Sequence, residues 1–147
     1  MEIAKLLSPQ EVTAHWSVLR PMIASFCSSN EVAEGMLTPE SIFVDVHLQN
    51  NFVVAMYDNE GLYFIIVLEF CGQQPDNLTA NILGAAGRNL LKIRQHHWQN
   101  VLNWCKSLGA KTVETSANER LARIYQKKFR FNKSCVTLRL DLGENNE

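Results

Sequence analysis

Cysteine is scarce: Cys27, Cys71, Cys105 and Cys135 are all the chain has, and none stands in a C-x-x-C spacing. Three of the four sit inside apolar runs, so they read as reduced core thiols rather than as a disulfide framework or a zinc site. An excess of either charge is also missing, because 14 Lys plus Arg against 15 Asp plus Glu leave a formal net charge of -1. That argues against the broad basic surface that nucleic acid or an anionic membrane requires, and no specific nucleic acid is expected among the partners. No apolar run approaches the roughly 20 residues that span a bilayer. Met1-Glu-Ile-Ala-Lys5 lacks the basic region and apolar core of a secretory signal, so a soluble cytoplasmic protein is expected. No metal is expected either, since the adjacent pair His96-His97 would point about 100° apart on a helix and could not share an ion in the i, i+4 manner. Repeats and low-complexity segments are absent.

What remains is a chain of 147 residues with a 46% hydrophobic share, the composition of one compact domain. Residues 2–7 suit a short first strand. Ser8-Pro9-Gln10-Glu11 then carries a capping serine, a proline at the first helical position and a glutamate three residues after the cap, and Val12, Trp16 and Leu19 give that helix its buried stripe. Pro21 is expected to break or kink it. Thr38-Pro39-Glu40 repeats the cap-then-proline signal ahead of Ile42, Phe43 and Val46. Residues 52–57 and 62–70 are rich in Val, Ile, Phe and Tyr on either side of Asp58-Asn59-Glu60-Gly61, so they form an antiparallel hairpin. Residues 78–83 make a further strand. Trp98, Val101, Leu102, Cys105 and Leu108 then share one helical face, Gly109 ends that helix, and 111–115 is a strand. A strand, helix, strand succession of this length is a parallel crossover unit, whose crevice lies at the carboxyl ends of its strands. A shorter amphipathic helix carries Leu121, Ile124, Tyr125 and Phe129, and residues 136–142 alternate as a closing strand before a frayed tail, 143–147. The sum is an α/β layer structure with a mixed central sheet flanked by helices.

Two residues stand out for chemistry. Glu69 follows a run of five apolar residues and falls by alternation on the same face as Ile65 and Val67, which makes it either a strand end reaching solvent or a carboxylate base. Tyr125 on its apolar stripe reads as a packed ring with the hydroxyl at a polar edge, or as a general acid. Lys127, Lys128, Arg130 and Lys133 form a basic cluster that reads as a solvated face, with coenzyme phosphates or an acidic partner as the functional reading.

The order of elements resembles the GNAT acyltransferase superfamily over the whole chain, with motif-level likeness confined to 78–131. In that family the fourth strand leads into a Gln/Arg-x-x-Gly-x-Gly/Ala loop, whose backbone amides hold the pyrophosphate of acetyl-coenzyme A at a helix N-terminus. Asn81-Ile-Leu-Gly84-Ala-Ala86 has the spacing, with Asn for Gln or Arg. Aligning instead on Trp104 and Leu108-Gly109 puts the loop at Asn89-Leu-Leu-Lys92-Ile-Arg94, where no glycine stands. The two alignments together imply about eight extra residues between strand and helix, against the two to six usual there. Asn118 and Tyr125 match the family's coenzyme-contacting Asn and its Tyr acid, while Phe129 replaces the motif's glycine and Arg130 its phenylalanine. A narrower likeness is to the GNAT-like internal virion proteins of short-tailed phages, carried here by Gly87, Trp104, Gly109 and Arg123.

The phage-type resemblance implies a non-enzymatic protein of the host cytoplasm and the virion, using no cofactor and acting through contacts with other protein subunits or virion components, its oligomeric state left open. The enzymatic alternative is an acetyl-CoA-dependent N-acetyltransferase. In it Asn81, Gly84, Ala86 and Asn118 would hold the coenzyme, Glu69 would deprotonate the acceptor amine through water, and Tyr125 would protonate the departing thiolate, with a strand amide polarising the thioester carbonyl.

Overall fold

In the computed structural model, residues 2–29, 37–73, 77–115 and 119–131 are described. Five strands, β1 (Ile3–Leu6), β2 (Asn51–Asp58), β3 (Gly61–Gln73), β4 (Asn77–Gly87) and β5 (Ala110–Thr115), form one sheet in the order β1-β2-β3-β4-β5. The first three pairings are antiparallel and β4–β5 is parallel, so the sheet is mixed as expected. The expected closing strand at 136–142 lies outside the described residues.

One face of the sheet carries α1 (Pro9–Ala14), α2 (Trp16–Ser29) and α3 (Pro39–His47). Val12, Leu19, Ile23, Ile42 and Val46 from these helices pack on Val53, Ala55, Ile65 and Val67 of the strands. The starts of α1 and α3 follow from their caps. Ser8 Oγ accepts from the Glu11 amide while Glu11 Oε1 accepts from the Ser8 amide, and Thr38 with Ser41 repeats the reciprocal pattern. The break expected at Pro21 falls instead at His15, between α1 and α2. Pro21 is tolerated inside α2 because it is exposed, as is Ser17, whose carbonyl is the one left without a donor and in reach of water.

The opposite face carries α4 (Leu90–Lys92), a π-helical stretch (Ile93–His97), α5 (Trp98–Ser107) and α6 (Glu119–Phe129). Ile93, Val101 and Cys105 pack there on Met56, Phe64, Ile66, Leu68, Ala80 and Ile82. Gly109, at φ +100°, supplies the left-handed geometry that ends α5.

β4 does not stop at Leu83, the end expected of it. β4 runs on through Gly87, and only Arg88 and Asn89 separate it from α4. The surplus residues between strand and helix are absorbed as ordered structure, in a longer strand and a helical segment that reaches from Leu90 through its π turn to Ser107, rather than as a loop. Pairing with β3 imposes the strand on a Gly-Ala-Ala-Gly stretch that has no strand propensity of its own.

Candidate functional site

The parallel pairing of β4 with β5 reaches Ile82↔Thr115, the last pair among the described residues, and β4 continues five residues further along β3. This is the carboxyl-end crevice that the crossover predicts. A bulge between Val67 and Leu68 of β3, where Leu83 of β4 is the extra residue, turns β4 at the start of the unpaired stretch.

The Arg88 amide donates to the Tyr63 carbonyl at 3.0 Å, so Arg88 faces β3. Two-residue alternation along the Val67↔Gly84, Ile65↔Ala86 register then turns the main-chain groups of Gly84 and Ala86 toward β3 as well. The amides assigned by resemblance to a pyrophosphate loop are ladder amides. Gly84 is a glycine for a packing reason, since a Cβ there would lie 2.1 Å from the Phe26 ring of α2. Gly87 is one for a backbone reason, with φ +134° and the Tyr63 carbonyl 2.2 Å from where its Cβ would be.

Ala85 belongs to the other face, and what lies over it is aromatic. Phe64, Ile66, Ile82, Ala85, Trp98, Tyr125 and Phe129 border a cavity of about 20 Å³, space for one water molecule. Trp98 and Phe129 meet edge to face at 5.1 Å between ring centres, and Phe131 closes on Tyr125 at 5.5 Å. Tyr125 therefore sits in the packed cluster, and burial pushes its phenol up, so that it stays protonated.

Glu69 and Asn81 are brought together. They oppose each other in the β3–β4 register, and Asn81 Nδ2 donates to Glu69 Oε1 at 2.9 Å. Alternation from Ile65 and Val67 puts Glu69 on the face of α1 to α3, whereas Tyr125 packs on the other face with Phe64 and Ile66. The sheet separates the acid and base of the enzymatic reading. Asn118 and Lys133 lie outside the described residues. Lys127, Lys128 and Arg130 are exposed at the end of α6.

One cluster was not anticipated. Lys92 Nζ lies 2.8 Å from both Glu2 Oε2 and Asp58 Oδ2 and stands 4.6 Å from the centre of the Tyr63 ring. The Tyr63 hydroxyl donates to Glu2 Oε1 at 2.7 Å, and His97 Nε2, on a side chain only 4% exposed, is 3.1 Å from the same oxygen. The bond from Lys92, then that from Tyr63, holds the Glu2 carboxyl near 2. Burial and the Glu2 bond push the Tyr63 phenol up to about 12. Asp58 is lowered and Lys92 raised by their mutual bond. The cluster fastens the chain start and the β2–β3 turn to the first turns after β4, across the π stretch. Its members are up to 95 residues apart, so no local pattern could have signalled it. No grouping of three or more His, Cys, Asp or Glu side chains among the described residues could hold a metal ion.

No protein-family model matches the chain, and no curated protein does. Solved structures do match. A tetramutant of the BH1408 protein of Bacillus halodurans superposes with a TM-score of 0.70 at 14% identity, over 95% of this chain and 99% of that one. An aminoglycoside acetyltransferase from an uncultured soil metagenomic sample, solved with sisomicin, gives 0.67 at 13% identity, over 97% of each chain. An acetyltransferase of Trypanosoma brucei gives 0.61 at 12% identity, over 97% and 100%. The fold is the GNAT fold. At these identities the likeness is one of fold alone, and the chemistry has to be read from the residues. At Gly84 and Ala86 the amides face the ladder rather than a ligand, and the space over Ala85 holds aromatic rings and a water-sized void. Among the described residues, no helix is long and apolar enough to cross a membrane.

Proposed function

We propose that this chain is a GNAT-fold protein that performs no acyl transfer and works by contact with other proteins, as an accessory or virion-associated component of the kind tailed phages carry. It would be found in the host cytoplasm and the virion, with other protein subunits as its partners. The observation that carries this reading is the two-residue link between β4 and α4, with the Gly84 and Ala86 amides directed into the β3–β4 ladder. An amide cradle needs N–H groups free of such pairing at a helix start. The rings packed over Ala85 support it, because a thioester arm cannot share a void of about 20 Å³ with them. So do Val44 on α3 and Leu48 at its C-terminal cap, four residues apart and 54% and 63% exposed, as apolar surface open to a partner.

The neighbours named as acetyltransferases favour the enzymatic reading through the fold they share with this chain. Against it stands the sheet between Glu69 and Tyr125. Calorimetry with acetyl-CoA separates the two. No heat at millimolar ligand is expected, with size-exclusion chromatography against candidate virion components giving a complex. Micromolar binding would establish the enzyme-type site instead.

A further inference from the structure

At the edge of the sheet β1 leaves its neighbour early. Leu7 still donates to the Val53 carbonyl at 2.9 Å, so Val53 faces β1, and two residues back along β2 so do the N–H and C=O of Asn51. The residue that the register would set opposite Asn51 is Pro9, which has no N–H and already opens α1. Neither main-chain group of Asn51 meets a backbone partner among the described residues. Its side chain is in the same position. Asn51 is 3% exposed, its carboxamide makes no hydrogen bond to a described residue, and yet neither polar atom is sealed from solvent. What reaches them is a cavity of about 260 Å³ bordered by Leu6, Ser8, Val46, Gln49, Asn51 and Phe52. A carboxamide this deeply buried is normally bonded. Here the unpaired N–H groups and carbonyl oxygens of Asn51 lie beside an open space.

We propose that this cavity is a binding site for an uncharged peptide segment, which enters extended beside Asn51, pairs with its main chain as a short added strand and is fixed by its carboxamide. A peptide group offers one N–H and one C=O, the complement of what Asn51 presents, and strand addition is an established mode of peptide capture. No Asp, Glu, Lys or Arg borders the cavity, so a charged ligand would lose its hydration without a counter-ion. The apolar walls of Leu6, Val46 and Phe52 give one aliphatic side chain a place to rest. This deepens the contact reading and rests on it, by naming the kind of surface a partner would offer.

The test is a two-dimensional amide NMR titration of the full chain with N-acetyl-leucine methylamide, one residue flanked by two peptide groups. Saturable shifts are expected at Leu7, Ser8, Gln49, Asn51 and Phe52, half complete at about 1 mM for a ligand of this size. The free acid N-acetyl-leucine should bind at least about tenfold more weakly, a comparison that needs only the wild-type chain. Asn51→Ala should weaken the methylamide by about tenfold. Absence of saturation at these amides, equal binding of the free acid, or equal binding by a folded Asn51→Ala variant would overturn the proposal. Acetyl-CoA added to the same sample keeps the two readings apart: shifts at Ala85, Gly87 or Leu90 would defeat the contact reading and leave the result at Asn51 standing.

Discussion

Replacing Gly84 with alanine adds a methyl group 2.1 Å from Phe26 Cδ1 and 2.3 Å from Cγ, far inside contact distance. Phe26 is itself in the core, 7% exposed among α2 and strand residues, so its ring has little room to withdraw. Overpacking of this kind costs about 1–3 kcal/mol. For a chain of this length that lowers Tm by about 2–12 °C, at roughly 2–4 °C per kcal/mol. A cycle with Phe26→Ala makes the test specific. Alone, that truncation costs about 3–5 kcal/mol. Together, the new methyl fills part of the space the ring leaves, so the pair should cost less than the sum by about 1–3 kcal/mol. Urea unfolding followed by the fluorescence of Trp16, Trp98 and Trp104 gives all four stabilities. If Gly84 instead kept its face open for a ligand, Gly84→Ala would be harmless and the two changes additive. That result would refute the packing argument.

Gly87→Ala should be worse than Gly84→Ala, because its Cβ would meet the Tyr63 carbonyl at 2.2 Å and Phe64 Cα at 2.7 Å, backbone that cannot rotate away, at a φ of +134°; urea midpoints rank the two variants. Stability should fall as pH drops from about 4.5 to about 2, since Glu2 has its folded value held near 2 by Lys92 and Tyr63, and a lowered carboxyl gives its stabilisation above the unfolded value and loses it on acidification. Glu2→Gln should flatten part of that limb in a pH series of thermal melts, while Glu11, held near 2 by Lys5, and the lowered Asp58 and Glu40 keep the rest. With the opposite sign, Tyr63 favours the folded state below about 10 and loses that contribution as pH rises toward about 12. Tyr125→Phe should change stability by no more than about 0.5 kcal/mol, because the hydroxyl has no hydrogen-bond partner among the described residues to lose, and a matched urea titration checks it.

The elements legible in the sequence were those with local chemical causes. Ser8 and Thr38 could be read as caps because each has a bonding partner three residues on and a proline beside it. The β2–β3 hairpin, the α5 stripe and the stop at Gly109 have similarly local signatures. Alternation alone set Glu69 on the face of Ile65 and Val67. The end of β4 was not legible, since glycine and alanine carry no strand signal and the strand persists only because β3 is there to pair with. Neither was the Lys92 cluster, whose acids come from the first residues and from the end of β2. The candidate site suffered most from this: a motif spacing that matches a loop was in fact laid along a strand, where the same glycine answers to Phe26.

The most direct test of the account is an acetyl-CoA titration followed at the backbone amides of Ala85, Gly87, Leu90, Leu91 and Lys92, which surround the β4–α4 junction where an amide cradle would have to stand. No saturable shift up to several times about 1 mM ligand is predicted. Saturable shifts confined to those amides at micromolar coenzyme would contradict it, and would return the chain to the acyl-transferring members of its fold.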